Sequence, residues 1–142
     1  MNRDLINARI REANDAIQVL RELVAKDFGA LTDPEKFSIR YLLIQLVEAT
    51  ASICLHILSR IHGEEVEGYP DSFLRLGAER IIPKDLATKL ASAARLRNLL
   101  VHRYLEIIDE KVYASVKQGL KDFEEFIDRI NTFCKGEERW TR

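Results

Sequence analysis

The sequence predicts an all-α protein: an up-and-down four-helix bundle with a short extra helix before the third long helix. Three observations predict it. Apolar residues recur at alternating spacings of three and four along most of the chain, and no stretch shows the two-residue alternation of a half-buried strand. All three prolines fall at the boundaries of periodic segments, where proline starts or stops a helix rather than breaking one. The connections are short or medium, so consecutive helices fold back as antiparallel neighbours.

The first helix is predicted from about Arg3 to Lys26. Ile6, Ile10, Ala13, Ile17, Leu20 and Val24 form one apolar stripe, and Phe28-Gly29 ends it. Thr32-Asp33-Pro34-Glu35 is a start signal. Thr32 can cap, Glu35 can close a capping box, and Pro34 suits a first turn. The second helix then runs to about His62, stopped by Gly63. Its apolar residues cover much of its circumference, which makes it the most buried helix.

Gly63 to Pro83 is the least regular stretch. Glu64, Glu65, Glu67 and Gly68 read as a solvated loop, and Pro70-Asp71-Ser72 starts a short helix through Phe73, Leu74 and Leu76. Pro83 marks the next start, and the third long helix runs from Lys84 to about Tyr104. Asp109 is expected to cap the fourth, whose stripe is Val112, Val116, Leu120, Phe123, Ile127, Ile130 and Cys134. Gly136 is expected to end it. One domain therefore spans residues 1–135, followed by a short tail, 136–142.

A chain of 142 residues is long enough to bury about 68–70% of its unfolded surface around a self-sufficient core. Cys54 and Cys134 both lie among apolar helical positions and read as reduced core residues. The first residues lead straight into an amphipathic helix rather than a secretion signal. No apolar stretch is read as reaching the roughly 18 residues of a membrane span, so a cytoplasmic location without membrane contact is expected.

Net charge is −1, too little to bind a polyanion by bulk attraction. Its distribution is uneven. Arg75, Arg80, Lys84, Lys89, Arg95, Arg97 and Arg103 face only two acids, Glu79 and Asp85, over the same span. A local basic excess of this kind attracts an anionic partner, although a solvated charged face has the same composition.

Inside that span lies Arg97-Asn98-Leu99-Leu100-Val101-His102-Arg103-Tyr104. On a continuous helix, Asn98 and His102 stack one turn apart, and Arg97 and Tyr104 share a neighbouring stripe. A fixed cation, an amide, an imidazole and a phenol would converge on a small area. Leu86, Leu90, Ala93, Arg97, Leu100 and Tyr104 also continue the apolar stripe, so Arg97 falls in line with the core. Burying a guanidinium requires a partner. Two readings fit: Arg97 pairs with an acid on another helix, such as Glu48, or it waits at a cleft for a phosphate. Ala93 and Ala94, one turn earlier, are small enough to let another helix approach.

Other chemistry is weakly represented. His56 and His62 are six residues apart and lie on different helix faces. No Glu-x-x-His pair, zinc spacing, phosphate-binding glycine loop or nucleophile elbow occurs.

Arg97-Asn98-x-x-x-His102-x-Tyr104 resembles the R-N-x3-H-x-Y signature of HepT-like toxins, a branch of the HEPN superfamily. Tyr69-Pro70-Asp71-Ser72-Phe73, Leu76-Gly77 and Ile81-Ile82-Pro83 resemble the loop and short helix before that signature, and Asp109 to Tyr113 resembles the turn after it. The likeness covers about residues 35 to 130.

The resemblance implies a HEPN-like helical fold that dimerises, bringing two motifs into a shared cleft. It implies a metal-independent endoribonuclease that uses no cofactor and acts on RNA. Its partner would be an MntA-type nucleotidyltransferase antitoxin that transfers AMP from ATP to Tyr104. Arg97, His102 and Asn98 would be the catalytic residues, with Arg95, Arg103 and Lys89 assisting RNA binding. His102 would move a proton, Arg97 would bind the nonbridging oxygens, and Asn98 would orient His102 or the ribose. Cleavage would leave a 2′,3′-cyclic phosphate and a 5′-hydroxyl. Two alternatives share the fold: a non-catalytic HEPN module that binds nucleotide or RNA, and a purely structural bundle.

Overall fold

The computed structural model describes residues 1–61 and 65–140, the last three of these by backbone alone. Five helices account for most of it: α1 (Arg3–Val24), α2 (Asp33–Ile61), α3 (Tyr69–Ala78), α4 (Lys84–His102) and α5 (Asp109–Trp140). Short 3-10 turns lie at Phe28–Ala30 and Tyr104–Glu106, and no strand occurs among the described residues. This is the all-α architecture the sequence predicts. The expected helix end at His62-Gly63 and Glu64 of the acidic loop lie outside the described residues.

Local chemistry sets most of the boundaries. Asn2 caps α1, its Oδ1 accepting from the Leu5 amide at 3.1 Å. The capping box of α2 forms: the Glu35 amide donates to Thr32 Oγ1 at 3.3 Å, and the Thr32 amide donates to Glu35 Oε1 at 3.0 Å. The Lys26 ammonium closes on the other oxygen of Glu35. These contacts, led by the Lys26 hydrogen bond, hold the Glu35 carboxyl down to about 2.

The end of α3 is a Schellman motif. Arg80 donates its amide to the Gly77 carbonyl at 3.0 Å and Ile81 donates to Leu76 at 3.2 Å. Arg80 occupies the left-handed position, with φ 63°, a conformation that glycine adopts more cheaply than any L residue.

Helix α2 is the axis of the bundle and contacts each of the other four helices. Leu46, Val47, Ala51, Ile53, Cys54 and Ile57 are fully or almost fully buried along it. By length and composition this helix could also cross a membrane, which corrects the expectation that no segment reaches that threshold. Its apolarity has another cause: helices pack around it on several sides, so little of its circumference needs a polar face.

The predicted stripes of α1 and α5 are buried, and Phe126, which lies outside the predicted stripe, joins them. Phe73 of α3 and Phe126 of α5, both fully buried, meet edge to face with centroids 5.8 Å apart. Where α3 crosses α4, a side chain at Gly77 would lie 2.7 Å from the Ala87 Cβ, so the close approach depends on two small residues.

Three predicted helix ends differ, α1 stopping at Val24 rather than Lys26. Helix α5 passes through Gly136 and continues to Trp140. A helical glycine costs about 1 kcal/mol relative to alanine, too little to terminate a long helix by itself. Gly119 is likewise carried inside α5. Helix α4 stops at His102 rather than Tyr104: Arg103 leaves the helical region at φ −134°, ψ 45°. The chain then tightens into the 3-10 turn, with the Glu106 amide donating to the Arg103 carbonyl at 2.9 Å.

Candidate active site

Helix α2 contributes two ionic side chains toward the end of α4. Glu48 receives Arg97: Nη2 donates to Glu48 Oε1 at 2.6 Å. The Arg97 side chain is 15% exposed and that of Glu48 is 44% exposed, so the pair sits at the edge of the core with the carboxylate facing out. Arg97 Nη1 donates to Asn98 Oδ1 at 3.1 Å. The guanidinium carbon also lies 4.8 Å from the ring centroid of Tyr69, the first residue of α3. Among the described residues, the buried Arg97 Nε finds no hydrogen-bond partner. Of the two readings of Arg97, the structure realises the pairing with Glu48, at a position that solvent reaches from one side.

The Asn98 amide oxygen therefore accepts from Arg97, while the sequence expectation gave Asn98 the role of orienting His102 or the ribose. Arg97 has five donors to satisfy at the edge of the core, and the neighbouring amide oxygen accepts one of them. His102 is exposed as the last residue of α4.

Tyr104 is set apart from Arg97. Because α4 ends two residues earlier, the expected shared stripe of Arg97 and Tyr104 does not form. Arg40, buried in α2 with 8% exposure, organises Tyr104 instead. Its guanidinium carbon lies 4.4 Å from the Tyr104 ring centroid. Its Nη1 donates to the Tyr104 carbonyl at 3.4 Å, and its Nε donates to Asp109 Oδ1 at 2.6 Å. The Asp109 hydrogen bond raises the Arg40 pKa, against the desolvation that opposes its charge. Asp109 opens α5 as expected, but its carboxylate turns to Arg40, and Ile108 accepts the first amides of the helix. Sequence reasoning missed Arg40. Its signal was a lone cation within the apolar run Ile39 to Leu46.

Tyr104 keeps 48% of its surface. Phe37 and Tyr41 on α2, Leu99 and Val101 on α4, and Leu105 and Ile108 after it are also exposed, Leu105 almost completely at 97%.

The expected RNA-binding cations are dispersed. Arg95 is exposed. Arg103 is exposed and pairs with Glu106 at 3.4 Å. Lys89 lies more than two turns before Arg97, on the rim of a cavity of about 610 Å³ between α4 and α5. Leu43, Leu46, Leu90, Leu96, Leu120 and Phe123 contribute to its apolar walls, and none of Arg97, Asn98, His102 or Tyr104 lines it.

Residues 11–130 match the family described as "Ribonuclease HepT-like". The chain belongs to this HepT-like family. A tRNA nuclease HepT from Aphanizomenon flos-aquae is 30% identical over 92 residues, which cover 64% of this chain and 63% of that protein. An mRNA nuclease HepT from Shewanella oneidensis is 31% identical over 100 residues, covering 68% of this chain and 75% of that protein. Among solved structures, the tri-AMPylated Shewanella oneidensis HEPN toxin in complex with MNT antitoxin superposes with a TM-score of 0.81 at 28% identity. That superposition covers 93% of this chain and 99% of the toxin. The fold of the HepT-like chain is thus the HEPN fold.

Proposed function

We propose that this HepT-like chain is a metal-independent endoribonuclease. It is the toxin of a HepT/MntA-type pair, and AMP transfer to Tyr104 inactivates it. The observation that carries this reading is the placement of the R-N-x3-H-x-Y residues. Arg97 is held at the core's edge beside a carboxylate that faces solvent, while His102 and Tyr104 are exposed at the end of the same segment. The nuclease names of the two HepT relatives and the AMPylated toxin–antitoxin complex support the same reading.

RNA cleavage of this type removes a proton from the 2′-hydroxyl, delivers one to the departing 5′-oxygen, and stabilises charge on the phosphorane. His102 handles a proton. Arg97 binds nonbridging oxygens through its planar fork, and RNA phosphate takes the place that Glu48 fills here. Asn98 steadies that fork. Arg95 and Arg103 attract the backbone, with Lys89 a more distant contributor. The products carry 2′,3′-cyclic phosphate and 5′-hydroxyl ends. The apolar surface around Tyr104 supports dimerisation, which places two motifs in one cleft, and docking of the MntA-type antitoxin.

The test is incubation of RNA with the purified protein in EDTA, followed by analysis of product ends. Cleavage to cyclic-phosphate ends that is lost in His102→Ala is expected. Parent-rate cleavage by His102→Ala overturns the scheme. The Glu48–Arg97 ion pair favours one second reading, a non-catalytic module that binds nucleotide or RNA. That module would bind RNA in the same assay and leave it intact.

A further inference from the structure

We infer that Arg40 and Asp109 form a positioning device for Tyr104, presenting its hydroxyl to the AMP-transferring partner. The inference rests on the reading of Tyr104 as the AMP acceptor.

Three contacts from one buried side chain converge on the segment after α4. Arg40 touches the ring of Tyr104, the carbonyl of Tyr104 and the carboxylate of Asp109. Together they hold both ends of the Tyr104–Asp109 connection against α2. An aliphatic residue of similar volume would anchor a loop as firmly, because a buried ion pair adds little net stability. What the ion pair adds is direction. Asp109 fixes the guanidinium plane through Nε, and that plane supports one face of the Tyr104 ring. The residue nonetheless keeps nearly half its surface open. The helical break at Arg103 takes Tyr104 off α4, so this tyrosine depends on Arg40 for its orientation.

The chemistry gives that orientation a use. The Tyr104 oxygen bonds to the α-phosphorus of ATP as the bond to pyrophosphate breaks. The phenolic proton passes to a base or to water, and pyrophosphate leaves. Such a displacement requires the acceptor oxygen in line with the departing group, so a freely rotating ring loses rate. The product is a phosphodiester anion on a ring already stacked against a fixed cation.

The experiment measures AMP transfer by an MntA-type transferase with ATP, read as intact mass. Wild type and Tyr104→Phe come first. If wild type takes no AMP, or Tyr104→Phe takes it equally, the acceptor reading itself fails, whatever Arg40 does. With that control met, Arg40→Ala is expected to lower kcat for transfer at least tenfold with KM for ATP unchanged. Arg40→Lys is expected to recover part of the rate. Acetylation of Tyr104 by N-acetylimidazole, which needs no enzyme, is expected to stay at or above the wild-type level in Arg40→Ala. Wild-type transfer by folded Arg40→Ala overturns the inference, as does a parallel fall in acetylation, which would mean simple burial of the ring. Should Arg40→Ala not fold, Asp109→Ala, which removes the acceptor of the Arg40 Nε hydrogen bond, carries the test: a severalfold loss of transfer supports the device and an unchanged rate overturns it.

Discussion

Glu48 of α2 and Arg97 of α4 meet at 2.6 Å across the bundle. On the proposed reading, that carboxylate fills the place of an RNA phosphate on Arg97. Glu48→Gln keeps the shape and removes the competing charge. It is expected to raise affinity for a non-cleavable 2′-O-methyl RNA severalfold in a fluorescence titration. Because Glu48 is partly exposed, the lost pair should cost only about 0.5–1 kcal/mol of stability, read by urea unfolding. Unchanged RNA affinity would show that Glu48 does not compete with phosphate.

The approach of α3 to α4 is limited by side-chain volume. Gly77→Ala places a Cβ 2.7 Å from that of Ala87, so the helices must separate. The overpacking should cost about 1–3 kcal/mol, against which the better helix propensity of alanine returns at most about 1. Net destabilisation is expected in thermal melts. Gly77→Ala combined with Ala87→Gly should be less destabilised than the sum of the two singles, since the second change reopens the space.

Arg80 is expected to respond in the opposite direction. Its φ of 63° strains any residue bearing a Cβ, so Arg80→Gly should stabilise the protein by about 0.5–1 kcal/mol, the strain relief exceeding glycine's larger entropy loss on folding. A lower melting temperature would mean that the Arg80 side chain matters more than its backbone.

The Lys26 and Thr32 contacts make Glu35 a sensor of acid. Its carboxyl sits at about 2 in the folded chain against an ordinary 4.5. The stabilisation is therefore complete above the unfolded value and disappears as pH falls from about 4.5 through 2. Glu35→Gln is expected to flatten the stability profile over that window and to leave the slope above pH 6 unchanged. Urea titrations at several pH values test this. An identical acid slope in both proteins would assign the acid sensitivity to other carboxylates.

Features that depend on neighbours three or four residues away were legible in the chain alone. The five helices follow from apolar periodicity, and the Thr32–Glu35 box from residues within hydrogen-bond reach along the chain. The R-N-x3-H-x-Y signature was readable because its residues lie in one segment. The tertiary structure decided what those residues touch. Arg97 finds Glu48 across a separation of 49 residues, and Arg40 finds Asp109 across 69. Local pattern offered Glu48 as one acid for Arg97 without excluding a cleft, and it offered no partner for Arg40, because several acids satisfy a charge in an apolar stripe until the backbone brings one of them within reach. The end of α4 shows the same limit. Nothing between His102 and Tyr104 is a helix breaker, and the chain after the turn is the segment that Arg40 contacts from α2.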